Sequence, residues 1–228
     1  SKKGQEGWTV TLPKPEYPQS DGSSWRGASI RLAVTRADAD LFRVRISLPP
    51  VWRFVTALGR EGGRLEIGQH SVNGLWSSVL GQWTHSDAKL SAISIASPQG
   101  NGSIESLSGF SNLTPGLQGK GHDQVQTLQI RKIAFGDAKG PGFSVQSLEA
   151  SSRIESLDLD TFRALSGQSR EVDLGNLAAL AASADNRFRL SGVKLSGPGG
   201  EDMLSVGSFD VVLGAEGMDQ AASTLKAE

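Results

Sequence analysis

The sequence predicts a mainly β protein, built from curved antiparallel sheets of repeated hairpins, half-barrel or sandwich-like, with two or three short covering helices. Three observations support this fold class. Apolar and polar residues alternate with a period of two, a hairpin-sized pattern recurs three times, and glycine accounts for 28 of the 228 residues. Alternation is typical of strands with one buried face, and abundant glycine is typical of chains with many tight turns.

The N-terminal part of the chain carries the clearest alternation. Three segments place apolar residues at every second position: Trp8, Val10 and Leu12; Ile30, Leu32 and Val34; and Phe42, Val44, Ile46 and Leu48. The short polar stretch 36–40 between the last two segments predicts a hairpin. Arg31, Arg43 and Arg45 occupy polar positions, so we expect them on a solvated outer face, with an anion-binding strip as the alternative.

A second pattern recurs in three later segments, each with apolar residues three and then two positions apart. These first halves are Leu90, Ile93 and Ile95; Ile130, Ile133 and Phe135; and Leu190, Val193 and Leu195. A turn rich in glycine or proline follows each, and then a second apolar pair: Ile104 and Leu107; Val145 and Leu148; Val206 and Phe209. The pattern predicts three similar hairpins, and the three-residue step predicts a β-bulge that curves the sheet.

Three segments favour short helices that would cover the sheet. Residues 51–58 follow two prolines, which suit a first helical turn. Residues 160–165 would begin at Asp160 as the N-cap. Residues 174–184 are rich in alanine and leucine, which are strong helix formers. No linker divides the chain, so we expect one elongated domain over residues 1–228. Two stacked β units divided near residues 114–122 are the alternative.

Composition and motifs argue against several classes of function. A net charge of -1 argues against nucleic-acid binding, and the absence of cysteine excludes disulfides and thiolate metal sites. His70, His85 and His122 lie in separate neighbourhoods, so we expect no metal site. Neither a Gly-x-Ser-x-Gly elbow nor a phosphate-binding glycine motif occurs. We therefore expect neither a cofactor nor enzymatic activity.

Aromatic residues form the most suggestive cluster in the sequence. We select as candidate ligand-binding residues Trp52, Phe54, Leu58, Leu75, Trp76, Leu80 and Trp83. Tryptophan combines a large apolar face with a polar edge, so such clusters line apolar grooves. An ordinary filled core and a contact for sugar or a protein partner are the alternatives.

One segment carries a family resemblance. Residues 190–213 contain Leu-Ser-Gly-Val-Lys-Leu-Ser-Gly-Pro-Gly-Gly and then Leu-Ser-Val-Gly-Ser-Phe-Asp-Val-Val-Leu. Over residues 65–213 the chain resembles AsmA-like and related secreted β-rich envelope proteins of Gram-negative, alphaproteobacterial-type bacteria. The resemblance implies an N-terminal anchor or signal, long curved antiparallel sheets, and an apolar concave face that holds or conducts lipid. No site motif of the family is present, so it transfers no functional residue.

These observations lead to three ordered expectations about function. The first is a non-enzymatic periplasmic or extracellular protein that binds a lipid or other apolar ligand in a concave groove. The second is a structural module of the cell envelope with a filled core, whose edges recruit a protein partner by strand addition. The third is a hydrolase on a β scaffold. The chain begins at Ser1 rather than methionine, which is typical either of a trimmed chain or of a processed mature chain; in the second case a signal peptide or membrane anchor would have preceded it.

Overall fold

The computed structural model describes residues 7–98, 100–116, 121–136, 141–166, 181–216 and 224–227. Within these ranges the protein consists of fourteen strands and one helix. The strands are β1 Gly7–Pro13, β2 Glu16–Pro18, β3 Ser24–Gly27, β4 Ser29–Arg36, β5 Leu41–Ser47, β6 Val51–Val55, β7 Glu61–Ser77, β8 Gln82–Ser97, β9 Gly100–Pro115, β10 His122–Gly136, β11 Gly142–Leu157, β12 Ser183–Ser196, β13 Asp202–Glu216 and β14 Thr224–Ala227; the helix is α1 Leu159–Ser166.

All fourteen strands belong to one open, curved antiparallel sheet. Its main path runs β1-β4-β5-β7-β8-β9-β10-β11-β12-β13-β14, with β2, β3 and β6 attached as a branch beside β7. The three alternating segments of the N-terminal part are confirmed as β1, β4 and β5, and β4 and β5 form the predicted hairpin. β9 and β10 pair directly, from His122 opposite Pro115 onward, so these two strands belong to the same sheet.

The three predicted hairpins are confirmed as β8–β9, β10–β11 and β12–β13. In each hairpin the two apolar pairs identified in the sequence face each other across the strands. The facing pairs nearer the open ends are Leu90 with Leu107, Ile130 with Leu148, and Leu190 with Phe209. The three-residue step also occurs in β7, where Ile67 faces Ile93 and His70 faces Leu90. The step therefore forms one continuous line across seven strands.

A left-handed residue replaces the expected β-bulge at this line. The strand register is the same on both sides of the step, so no extra residue is inserted there. Instead, Ala92, Lys132 and Gly192 have positive φ angles of 51°, 49° and 60°. They lie in β8, β10 and β12, so every second strand of the line contains one left-handed residue.

The step keeps the apolar residues on one face of the sheet. In a regular strand, residues 67 and 70 would point to opposite faces, because successive side chains alternate. In β7, however, burial changes phase at the step: Ile67 is buried and Glu66 exposed, whereas His70 is half-buried and Ser71 exposed. Gly68 fits this line because a Cβ atom there would lie only 2.8 Å from the Cβ of Ala92.

The expected set of two or three covering helices is not borne out, because the described residues contain one helix. The helix predicted over 51–58 is wrong: Val51–Val55 is a strand, which pairs with β3 and β7. The helix predicted over 160–165 is confirmed as α1. The prediction for 174–184 falls mostly outside the described residues, and its last two residues, Ser183 and Ala184, belong to β12.

The N-cap of α1 is Asp158 rather than the predicted Asp160. Asp158 Oδ1 accepts a hydrogen bond from the backbone N–H of Thr161 at 2.7 Å. This bond satisfies one of the free donors at the helix start, and it lowers the pKa of the Asp158 carboxyl. Asp160 lies in the first turn.

The best-buried cluster lies where α1 meets the ends of the central strands. Leu113, Leu157 and Leu159 form it, and Leu80 and Ile154 pack against them. Leu157 is 1% exposed. The cluster packs the start of α1 against the ends of β9 and β11.

Candidate apolar groove

One face of the sheet forms a concave groove of about 730 Å³. Its lining residues come from eight strands, β5 and β7 to β13. Eight flat strands would span about 34 Å at ~4.8 Å per strand. The sheet must therefore curl strongly for its side chains to line one groove.

The floor of the groove is a row of residues that face one another in register. This apolar row consists of Val10, Leu32, Ile46, Val72, Ala88, Gly109, Leu128, Ala150, Phe188 and Val211. All of its members from Ile46 onward line the groove. Leu128 and Phe188 each remain 37% exposed, so the floor faces solvent rather than a second layer of protein.

A second row borders the apolar row on the same face. Its five polar members, the polar stripe, are Ser86, Ser111, Gln126, Ser152 and Asn186. All five line the groove. The stripe ends at Gly74, over which the Trp83 indole lies: a Cβ atom at Gly74 would be 2.7 Å from the ring. Trp83 also makes an edge-to-face contact with Trp76.

The opposite face of the same strands carries the charges. Asp210 accepts hydrogen bonds from Arg187 and Arg189, with its Oδ2 at 2.6 Å and 2.7 Å from their Nη2 atoms. These two arginines lower the pKa of Asp210 to about 2, and the same contact raises the pKa of Arg187. On neighbouring strands Gln129 donates to Glu149 at 2.9 Å, and Lys132 forms an ion pair with Glu105.

The structure separates the seven residues predicted to bind ligand. Trp52 and Phe54 lie in β6 beside one end of β7, whereas Trp76 and Trp83 lie at its other end. Trp52 faces Leu65, so the two groups are roughly 35 Å apart at ~3.3 Å per residue. Trp83 lines the groove and the other six do not.

The remaining three predicted residues have different environments. Leu58 is 83% exposed in the turn between β6 and β7. Leu75 lies in β7 opposite His85. Leu80 packs against the buried cluster at α1, so its side chain contributes to the packing there and not to the groove.

Sequence reasoning missed the residues that form most of the groove floor. Leu128 and Phe188 lie two residues before Ile130 and Leu190, which begin two of the recurrent segments. Extending the alternation backwards by two residues would have found them. Their convergence with Val72 and Val211 depends on pairing between distant segments, which local spacing does not reveal.

The histidines do not form a shared site. His70 Nε2 accepts a hydrogen bond from the backbone N–H of Leu48 at 2.9 Å, which links the end of β5 to β7. The His85 ring contacts the ring of Phe110 edge-on, and His85 Nε2 lies 3.7 Å from Asp87 Oδ1. Among the described residues, no group of three or more acidic or histidine side chains is arranged to hold a metal ion.

Comparisons with known proteins leave the groove as the main guide to function. No protein-family model, curated protein or solved structure matches this chain. Within the described residues, no helix has the length and apolar character needed to cross a membrane.

Proposed function

We propose that the protein is a non-enzymatic binding protein that holds a lipid or other apolar ligand in the concave groove. The observation that carries the proposal is the apolar row that lines the open groove, in which the large side chains of Leu128 and Phe188 remain 37% exposed. Soluble proteins rarely leave a broad apolar surface open unless it contacts a ligand, a partner or a membrane. A periplasmic or secreted location, as the family resemblance implies, is part of this proposal.

The size and chemistry of the groove suit an acyl chain. Small-molecule sites commonly have volumes of about 300–1,000 Å³ and mostly apolar walls. Each methylene group removed from water contributes about 0.8 kcal/mol, so ten contribute about 8 kcal/mol. Association entropy offsets several kcal/mol of this gain. We therefore expect dissociation constants in the micromolar range or weaker.

Native mass spectrometry followed by organic extraction tests the proposal. The protein should carry a co-purified lipid or take one up from a panel of acyl amphiphiles. Leu128→Asp should lower uptake at least tenfold, because the ligand would have to desolvate a carboxylate.

Val125→Asp is the matched control for this variant. Val125 lies in the same strand, is 40% exposed, and is three residues away on the opposite face. Its uptake should equal that of the wild-type protein. A wild-type protein that stays free of ligand throughout would contradict the proposal, as would equal losses in the two folded variants.

The uncovered edge of β13 favours a second candidate function, the recruitment of a protein partner by strand addition. β14 pairs only with Leu213–Glu216 of β13. Among the described residues, no strand covers the rest of this edge, which exposes Leu204 and Phe209. An open edge of this kind can accept another strand. A ligand-free protein that self-associates with increasing concentration, measured by light scattering, would favour this function.

A further inference from the structure

The groove surface combines apolar side chains with unpartnered polar groups that carry no formal charge. The polar stripe supplies three hydroxyls and two carboxamides: Ser86, Ser111 and Ser152, with Gln126 and Asn186. Within the described part of the chain, none of these five side chains forms a hydrogen bond with protein. They are available to a ligand.

The stripe lies beside the apolar floor over five of its eight strands, β8 to β12. Each stripe residue is two positions from a member of the apolar row on the same strand, as Gln126 is from Leu128. Two residues along a strand correspond to about 7 Å. An amphiphile lying on the floor would therefore bring its polar groups within reach of the stripe.

The charged residues that reach the groove are engaged on the opposite face. Asp87 and Arg187 contribute to the groove wall. The Asp87 carboxylate accepts a hydrogen bond from Asn73 at 3.2 Å, and Arg187 is held by Asp210. Neither offers a free counter-charge to a ligand headgroup.

We infer that the ligand is an acyl amphiphile whose headgroup is uncharged and bears hydroxyl or amide groups, such as an acylglycerol. This inference rests on the proposed function. A charged headgroup would lose water without finding a counter-charge, which is costly. A hydroxyl-bearing headgroup exchanges its hydrogen bonds with water for bonds to Gln126, Asn186 and the three serines.

Displacement of an uncharged fluorescent probe tests the headgroup preference. The protein is delipidated and loaded with N-phenyl-1-naphthylamine. Three amphiphiles with the same lauroyl or dodecyl chain are then added below their micellar concentrations: monolauroylglycerol, laurate at pH 8 and dodecyltrimethylammonium. Monolauroylglycerol should displace the probe at a concentration at least tenfold lower than either charged amphiphile.

A double variant tests whether the stripe causes this preference. Gln126→Leu combined with Asn186→Leu removes both carboxamides and leaves the apolar floor intact. The preference for monolauroylglycerol should fall below threefold, while the probe still binds. Gln129→Leu is the control, since Gln129 lies in the same strand on the opposite face and donates to Glu149.

The outcomes separate the headgroup inference from the proposed function. Equal displacement by all three amphiphiles, or a preference for a charged one, would overturn the inference and leave an apolar groove. A preference that survives in the folded double variant would overturn the assignment to the stripe. A protein that binds neither the probe nor any amphiphile would overturn the proposed function itself.

Discussion

The two faces of the long strands differ in charge although they share one backbone. One face presents the apolar row and the polar stripe, which contain no formal charge. The other presents arginine, lysine, aspartate and glutamate side chains that pair with one another. A sheet with one solvated and one covered face normally buries its apolar side against a second layer. Here the apolar face remains concave and open.

The contrast between the two faces also explains the line of three-residue steps across the sheet. Strands of 14–17 residues would need uninterrupted alternation to keep their apolar residues together. The three-residue step lies at the same level in all seven strands, and in β7 the burial pattern changes phase there. The left-handed residues at Ala92, Lys132 and Gly192 accompany this change, so the apolar residues before and after it share one face.

The largest expected effect is a loss of stability, and it should distinguish the buried cluster at α1 from the open groove. Leu157→Ala should destabilise the protein by about 3 kcal/mol, because it creates a cavity around a residue that is 1% exposed. Leu128→Ala should cost less than about 1 kcal/mol, because its side chain is already partly solvated. Urea denaturation monitored by circular dichroism measures both. Equal losses would mean that the groove floor is packed as a core.

The next effect concerns the step that keeps the two faces distinct. Gly192→Val should destabilise by about 2–3 kcal/mol, since valine is strained at positive φ. Its Cβ would also lie only 2.6 Å from the Cβ of Gln146.

Gly207→Val in the adjacent strand is the control for this substitution. A Cβ atom there has no neighbour within 4 Å, and valine suits an extended strand. Its free energy of unfolding should match or exceed that of the wild type. A comparable loss at both positions would contradict the role assigned to the left-handed residue.

The sequence predicted the three hairpins because their information is local. Apolar pairs such as Leu90 and Leu107 are separated by one turn, and both members carry the pattern. The helix prediction for 51–58 followed the helical spacing of Trp52, Val55 and Leu58, although Trp52 and Phe54 also have the two-residue spacing of a strand. Pairing with β3 and β7 stabilises residues 51–55 as a strand. The local spacing of residues does not encode such non-local pairing.

The candidate site was less predictable than the fold for the same reason. Nearness in sequence grouped Trp52 with Trp83, but a 17-residue strand separates their positions. The groove instead joins Ile46, Leu128 and Val211, which are far apart in the chain. Their convergence follows from the register of eight strands and from the curl of the sheet.

The smallest expected effect concerns the charged face alone. The pKa of Asp210 is lowered to about 2 by Arg187 and Arg189, below the ~3.9 of an unfolded aspartate. A lowered folded-state pKa stabilises the protein above the unfolded value, and that stability is lost as the pH falls from about 4 through 2. Solvent screening keeps this contribution to stability small, because both side chains are exposed.

The variant Asp210→Asn should therefore show a slightly shallower fall in melting temperature between pH 5 and pH 2, while ligand uptake at pH 7 stays unchanged. Identical pH profiles would exclude a contribution of this pairing to stability. A change in uptake would mean that the two faces are coupled, because Arg187 also contributes to the groove wall.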